Sequence, residues 1–251
     1  MVYLRNQTEI EAIRAAAQLV GRTLGMLGDQ VRPGMTTAAL DRLAEGFIRD
    51  HGGRPAFKGY RGFPASICPS VNDEVVHAIP GRYQLKEGDI IGIDVGVELN
   101  GYYGDAACTF PVGEIAPQAK QLLAVAREAL MEGIAQARPG NRIGDISHAV
   151  QSHAERAGYS VVRSLVGHGI GREMHEEPQV PNFGPPARGP RLMVGQVLAI
   201  EPMVNAGGPD VITRTDGWTV VTKDGSLSAH FEHTVAVGTN GPEVLSEPRK
   251  G

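Results

Sequence analysis

Asp94, Asp105, His168, Glu201 and Glu232 are the residues of this chain whose types and placement suit metal chemistry. Asp94 and Asp105 flank Asn100-Gly101, the dipeptide that most strongly marks a two-residue β-hairpin turn. With that pair at the centre of the turn, Asp94 faces Ala107 and Asp105 faces Gly96. Side chains alternate with a period of two, so the two aspartates become diagonal neighbours on one face of the sheet. Carboxylates so close repel. Either one keeps its proton or a cation bridges both.

His168 lies in Gly167-His168-Gly169-Ile170-Gly171, where flanking glycines let the backbone approach closely and present the imidazole. Glu201 and Glu232 each fall in a strand-like stretch, Ile200-Glu201-Pro202-Met203 and Ala229-His230-Phe231-Glu232-His233-Thr234-Val235. Any one of these acids alone reads more readily as a surface or capping group. Together, four carboxylates and one imidazole can supply two divalent metals about 3.5–4 Å apart that share bridging oxygens. Oxygen-rich cages of this kind suit hard or borderline cations.

The elements that must position these residues are written twice. Residues 88–97 read G-D-I-I-G-I-D-V-G-V and residues 195–204 read G-Q-V-L-A-I-E-P-M-V. Each predicts a buried strand with one acid, Asp94 and Glu201, and a carboxylate among aliphatic residues is costly unless a cation or hydrogen bonds satisfy it. Arg32-Pro33-Gly34 and Arg138-Pro139-Gly140 repeat at nearly the same offset. Each opens a helical stretch and follows a long amphipathic segment, about 8–28 and 118–137. Two copies are too few for a solenoid. They predict one α/β (α+β) domain over residues 1–251, with a pseudo-repeat at about 8–112 and 118–237.

Along the chain, Thr8-Glu9-Ile10-Glu11 predicts a capping box with Thr8 at the cap. Ile10, Ile13, Ala17, Val20, Leu24 and Leu27 then recur at helical spacing as a core-facing stripe. Thr36 or Thr37 caps the next helix, with Leu40, Leu43, Phe47 and Ile48 inward and Gly52-Gly53 as the stop. Residues 54–66, with Phe57, Tyr60 and Phe63 among Gly and Pro, read as a functional loop. Helices follow at about 118–137 and 143–157, then mostly strand and loop, with a frayed tail from Glu243.

The 251 residues carry a formal net charge of -4, with Lys and Arg spread along the chain rather than gathered in a basic stripe. That argues against nucleic-acid binding. Cys68 and Cys108 are the only cysteines, which predicts a reducing, cytoplasmic setting rather than a disulfide scaffold. The first seven residues contain no apolar h-region, and no run approaches a membrane span.

The motif set resembles that of methionine aminopeptidases. The matching residues are Asp94-(x)10-Asp105, Gly167 to Gly171, Ile200 to Met203, Phe231-Glu232-His233-Thr234, Phe63-Pro64-Ala65-Ser66-Ile67-Cys68, Asn72, His77-Ala78-Ile79-Pro80 and His175-Glu176-Glu177-Pro178. They cover the chain from about residue 5 to 245. The resemblance implies the pita-bread fold: two pseudo-two-fold-related halves, a mixed or antiparallel central sheet and helices outside. His168, Glu201 and Glu232 are spaced too closely for the helical insertion of the type 2 enzymes, so the likeness is to a bacterial-style type 1 enzyme.

By that resemblance, Asp94, Asp105, His168, Glu201 and Glu232 hold two divalent ions, drawn from Co, Mn, Fe(II), Zn or Ni, with Asp105 and Glu232 bridging. The implied reaction is attack of a metal-bound hydroxide on the carbonyl of an N-terminal methionine followed by a small residue. Glu201 moves the proton, His175 helps stabilise the oxyanion and His77 guides the leaving amine. Tyr60, Phe63, Cys68 and Trp218, with Met203 nearby, are the implied methionine pocket, together with His77 and His175. Nothing around Cys68 supplies a base, so it reads as wall rather than nucleophile. His51, His148 and His153 read as structural or exposed.

Three positions depart from the family pattern: Arg61 where His is common, Met174 where an aromatic is common, and His230 where Gln is common. The implied partners are Met-initiated peptides and nascent chains, reached by visiting the ribosome, with the enzyme itself a monomer. Two rivals share the fold. Xaa-Pro aminopeptidases and prolidases carry a sizeable N-terminal domain before the core, and binding modules of this fold lose metal ligands.

Overall fold

The computed structural model describes residues 2–247. In chain order the elements are α1 (Gln7–Gly28), α2 (Thr37–Asp50), β1 (Arg54–Pro55), a short 3-10 turn (Tyr60–Gly62), β2 (Ile67–Val71), β3 (Glu74–Val76), β4 (Ile90–Leu99) and β5 (Tyr102–Pro111). There follow α3 (Pro117–Ala135), α4 (Ile143–Arg156), β6 (Ser160–Val161), β7 (Val166–Gly169), β8 (Glu176–Pro181), β9 (Val197–Ile200) and β10 (Met203–Asn205). The chain closes with β11 (Val211–Thr213), β12 (Val220–Thr222), β13 (Ser228–His230), β14 (His233–Gly238) and β15 (Gly241–Val244).

The strands form four antiparallel ladders among the described residues. One centres on β4, which pairs with β1, β2 and β5. A second runs β15-β14-β9-β7-β8. Two three-stranded ladders, β13-β10-β6 and β11-β12-β3, complete the set. Antiparallel sheets with helices outside are what the pita-bread expectation called for. The two larger ladders meet through β5: Glu232 and Ala107 exchange backbone hydrogen bonds of 2.9 and 3.4 Å. Asp105 N donates to Thr234 Oγ1 at 3.0 Å, and that hydroxyl donates to Asp105 O at 2.7 Å.

Helices pack in pairs outside the ladders. α1 lies on β4 and β5 with α2 beside it, and α3 with α4 covers the second half. Each pair has its own apolar cluster, one around Leu19, Ile48, Ile93 and Val97, the other around Leu122, Leu130, Ile146 and Leu198. The repeat extends to single hydrogen bonds. Gly34 N donates to Leu85 O at 2.7 Å, and Gly140 N donates to Leu192 O at 3.0 Å. The closing glycines match as well, Gly88 at φ 91 and Gly195 at φ 92, a region open to glycine at little cost.

Several local expectations change. The cap of α1 is Asn6, whose side chain accepts from Glu9 N at 3.0 Å while Glu9 Oε2 accepts from Asn6 N at 3.2 Å. Asn6 completes the same reciprocal box expected at Thr8, starting two residues earlier. Thr36 caps α2, but Leu43 is 40% exposed because α2 buries a narrower stripe than its sequence offers. Of the tail expected from Glu243, the described part is instead held: Gly241–Val244 pairs with β14, and Leu245 is fully buried, while residues 248–251 lie outside the described residues. Ser246 Oγ accepts from Thr234 N at 3.2 Å.

Candidate metal centre

The hairpin supplies the first two acids. Asn100 (φ 54) and Gly101 (φ 80) both take positive φ, the geometry that a type I′ turn demands. The register follows from it: Asp94 pairs with Ala107, and Gly96 with Asp105. The two carboxyls come within hydrogen-bonding reach of each other. β2 flanks the other side of Asp94 with Cys68.

His168 projects from β7, which is squeezed between β8 and β9. A Cβ on Gly167 would stand 2.4 Å from Ala199 O, and one on Gly169 2.4 Å from Glu177 O, so glycine is required at both for this approach. His168 Nδ1 donates to Gly169 O at 2.9 Å, which leaves Nε2 as the free lone pair of the neutral ring. Glu201 and Glu232 do not lie within strands, contrary to the expectation. Glu201 follows the last residue of β9, where Pro202 interrupts the ladder, and Glu232 sits in the break between β13 and β14.

These residues converge. Ligand atoms of Asp105, His168 and Glu232 all lie within 4.8 Å of one another, and His168 Nε2 is 3.6 Å from Glu201 Oε1. Asp94 Oδ1, Asp105 Oδ1 and Glu232 Oε1 are buried with no hydrogen-bond partner. Buried polar atoms in native proteins are nearly always satisfied, so three orphaned oxygens facing one imidazole nitrogen are the donor set of a cation site. Burial pushes Asp94 up to about 7. It also pushes Asp105, Glu201 and Glu232 well above the carboxylate range, and each is raised further by its acidic neighbours. Burial lowers His168 to about 4, keeping it neutral and able to ligate. A divalent charge would reverse the penalty on all four acids.

The acids form the floor of a cavity of about 150 Å³. Tyr60, Phe63, Cys68 and Trp218 line it, as do Phe57, Arg61 and Met174. Phe63 meets Trp218 edge to face at 5.1 Å. Asp216 fixes the Trp218 backbone by accepting from Trp218 N and Thr219 N, both at 2.8 Å. Cys68 is buried, and its thiol is pushed well up by burial and by Asp94, the opposite of an activated nucleophile.

His77 stands at the wall with φ 60, just past β3, and burial lowers its pKa. His175 is exposed at the mouth. Its Nδ1 lies 2.9 Å from Tyr60 Oη, its ring stacks on Tyr60 at 5.2 Å, and His168 is 4.2 Å away. The loop bearing His175 is clamped by a buried ion pair, Arg5 with Glu176 at 2.5 Å. Glu176 also accepts from Arg172 N at 2.9 Å.

Met203 is a correction. It is fully buried in a separate cluster with Val75, Val76, Val162 and Val220 and does not line the cavity. It sits in β10, in the β13-β10-β6 ladder, and packs into that valine cluster rather than against the acids. Phe57 was missed as a wall residue. Its signal was the three-residue spacing of Phe57, Tyr60 and Phe63. His51 caps the end of α2, and His148 and His153 lie on α4; they are bonded to Phe47 O, Ser152 and Glu128 respectively, away from the acids. Among the described residues, no helix is long and apolar enough to cross a membrane.

Comparison with known proteins agrees with this geometry. Residues 11–239 match the pattern of metallopeptidase family M24. The chain is 56% identical over 246 residues to a methionine aminopeptidase of Clostridium perfringens, covering 98% of this chain and 99% of the relative. It is 51% identical to methionine aminopeptidase 1 of Bacillus subtilis, covering 98% and 99%. The crystal structure of methionine aminopeptidase from Rickettsia prowazekii superposes with a TM-score of 0.97 at 45% identity, covering 98% of this chain and all of that one. A prolidase from Pyrococcus horikoshii shares the fold alone, with a TM-score of 0.80 at 20% identity, and the chain spans 64% of it.

Proposed function

The chain belongs to metallopeptidase family M24, and from that premise we propose that it is an aminopeptidase that removes the N-terminal methionine from peptides and nascent proteins with a small second residue. The observation that carries this reading is the apolar cavity of about 150 Å³ whose floor is the five-residue donor set. An unbranched thioether packs well among aromatic, thiol and Met side chains.

Asp94, Asp105, His168, Glu201 and Glu232 would hold the divalent ions. Their mixed carboxylate and imidazole set accepts Co, Mn, Fe(II), Zn or Ni. When bound, such ions polarise the scissile carbonyl and lower the pKa of a water to near 7. Glu201 takes the proton of the attacking water and delivers it to the leaving amine. His175, oriented by Tyr60, hydrogen-bonds the oxygen on which charge develops. His77 steers the amide nitrogen.

Phe57, Phe63, Cys68, Met174 and Trp218 bind the methionine side chain and exclude water from it. Residues 1–251 are read as one catalytic domain of two related halves, acting as a monomer in the cytoplasm on chains leaving the ribosome.

Peptide assays test the reading. Release of methionine from Met-Ala-Ser, with no cleavage of Xaa-Pro peptides and poor release before Lys or Phe, is the expected result. Cleavage confined to Xaa-Pro bonds would replace it with a proline-specific peptidase.

A further inference from the structure

We propose that His230 is a positioning residue for Glu201, donating a hydrogen bond from Nε2 to its carboxylate. The inference rests on the role given to Glu201 above. His230 is 3% exposed, and its Nε2 is buried without a hydrogen-bond partner. The atom it approaches is Glu201 Oε2, at 3.8 Å, about 0.6 Å beyond the outer limit of an N–H···O bond, a gap that a small side-chain rotation closes.

The backbone leaves the ring little freedom to turn elsewhere. His230 N donates to Thr109 Oγ1 at 3.0 Å, Thr109 Oγ1 donates to His230 O at 2.8 Å, and β10 pairs Met203 with His230. The hydroxyl of one half thereby fixes the histidine that faces the acid of the other.

Glu201 needs such a donor. It is flanked by two imidazoles, His168 at Oε1 and His230 at Oε2. His168 cannot donate to it, because its Nδ1–H is committed to Gly169 O and its Nε2 is therefore a lone pair. No hydrogen bond reaches the Glu201 carboxylate from any other described residue; Asn182 Nδ2 donates to its backbone oxygen at 3.2 Å. The side chain follows the end of β9 directly before Pro202, so the strand ladder does not fix its orientation. Groups that orient a ligand in this way affect metal affinity or activity by about 10–100-fold when removed.

Manganese titration calorimetry and Met-Ala-Ser kinetics on His230→Leu and His230→Gln test the assignment. Leucine removes the donor, and glutamine restores an N–H at similar reach. The expected result is manganese binding weaker by about 10–100-fold in His230→Leu, with a fall in kcat rather than a rise in KM, and values close to wild type in His230→Gln. Wild-type manganese affinity in His230→Leu would overturn the proposal, as would equal damage in both variants, which would make the imidazole itself essential. If the wild type released no methionine, the function would fall while the manganese titrations still decided this point. Should His230→Leu fail to fold, long-range proton–nitrogen correlation spectra of the zinc-loaded wild type settle the tautomer. A proton on Nε2 of His230 is expected, and a bare Nε2 would overturn the assignment.

Discussion

Replacing Gly104 by alanine drives a methyl group into the backbone of α1. Gly104 lies in β5, one residue before Asp105. A Cβ there would stand 2.4 Å from Ala17 N, 2.5 Å from Ala17 Cα and 2.8 Å from Ala16 C. Carbon atoms rest in contact at about 3.5–4.0 Å, so α1 and β5 must part by about 1 Å. The obstacle is helix backbone, not the end of a flexible side chain, and Ile13, Ala16, Ala17 and Val20 behind it are fully buried. Overpacking costs about 1–3 kcal/mol, and an obstacle this rigid places Gly104→Ala at the upper end. In a chain of this size each kcal/mol moves the melting temperature by about 2–4 °C, so the expected drop is about 6–12 °C.

The strain also reaches Asp105, and a shift of about 1 Å in a positioned group can reduce turnover by about 100-fold. Gly25 on the same helix is the control. A Cβ there meets nothing within 4 Å, so Gly25→Ala should stabilise by about 0.5–1 kcal/mol through helix propensity alone. Thermal melts of both variants, followed by methionine-release assays, read the result. A Gly104→Ala protein that melts at the wild-type temperature would refute the argument that close approach of α1 to β5 sets the position of Asp105.

Three further outcomes are expected. Burial pushes Asp94 up to about 7 from an ordinary 3.8. The unfolded chain therefore loses this proton first, and the stability contribution is full below pH about 4 and drains away as pH rises towards 7. Manganese bound at Asp94 would take the place of that proton, so the rise in melting temperature on adding it should be larger near pH 8 than near pH 5.5, and a pH-independent rise would contradict the linkage. His77→Asn keeps a residue type that tolerates the φ of 60 while removing the imidazole. It should lower kcat by about 100-fold with manganese affinity unchanged, and an unchanged kcat would remove His77 from the chemistry. Arg5→Ala leaves the Glu176 carboxylate buried without its ion-pair partner, which should destabilise by about 3–5 kcal/mol in denaturant melts and raise KM through the loop that carries His175.

The hairpin was fully legible because one dipeptide fixes the turn, the turn fixes the register, and the register fixes which face each aspartate shares. The stripe of α1 was legible because helical spacing alone decides which side chains can share a core, and Ile13, Ala17, Val20 and Leu27 are all fully buried. Glu201 and Glu232 were found by repetition and motif, but not their setting. Both sit where a ladder breaks, and strand interruption depends on partners far away in sequence. The same limit hid the Arg5–Glu176 clamp, which joins residues 171 positions apart. Met203 looked like a pocket residue from its place near Glu201, but it packs against Val75, Val76, Val162 and Val220, residues distant in sequence. Phe57 reached the cavity because Gly96, opposite Asp105, leaves room for its ring: a Cβ on Gly96 would meet Phe57 at 2.6 Å.

The most direct test of the central claim is methionine release from Met-Ala-Ser by chelator-stripped protein to which Mn, Co, Fe(II) or Zn is returned separately, beside the Asp105→Ala variant. Release that is absent without metal, restored by at least one of these ions and lost in Asp105→Ala is the predicted result. Release that survives chelation, or that Asp105→Ala retains in full, would contradict a catalytic centre built on these five residues.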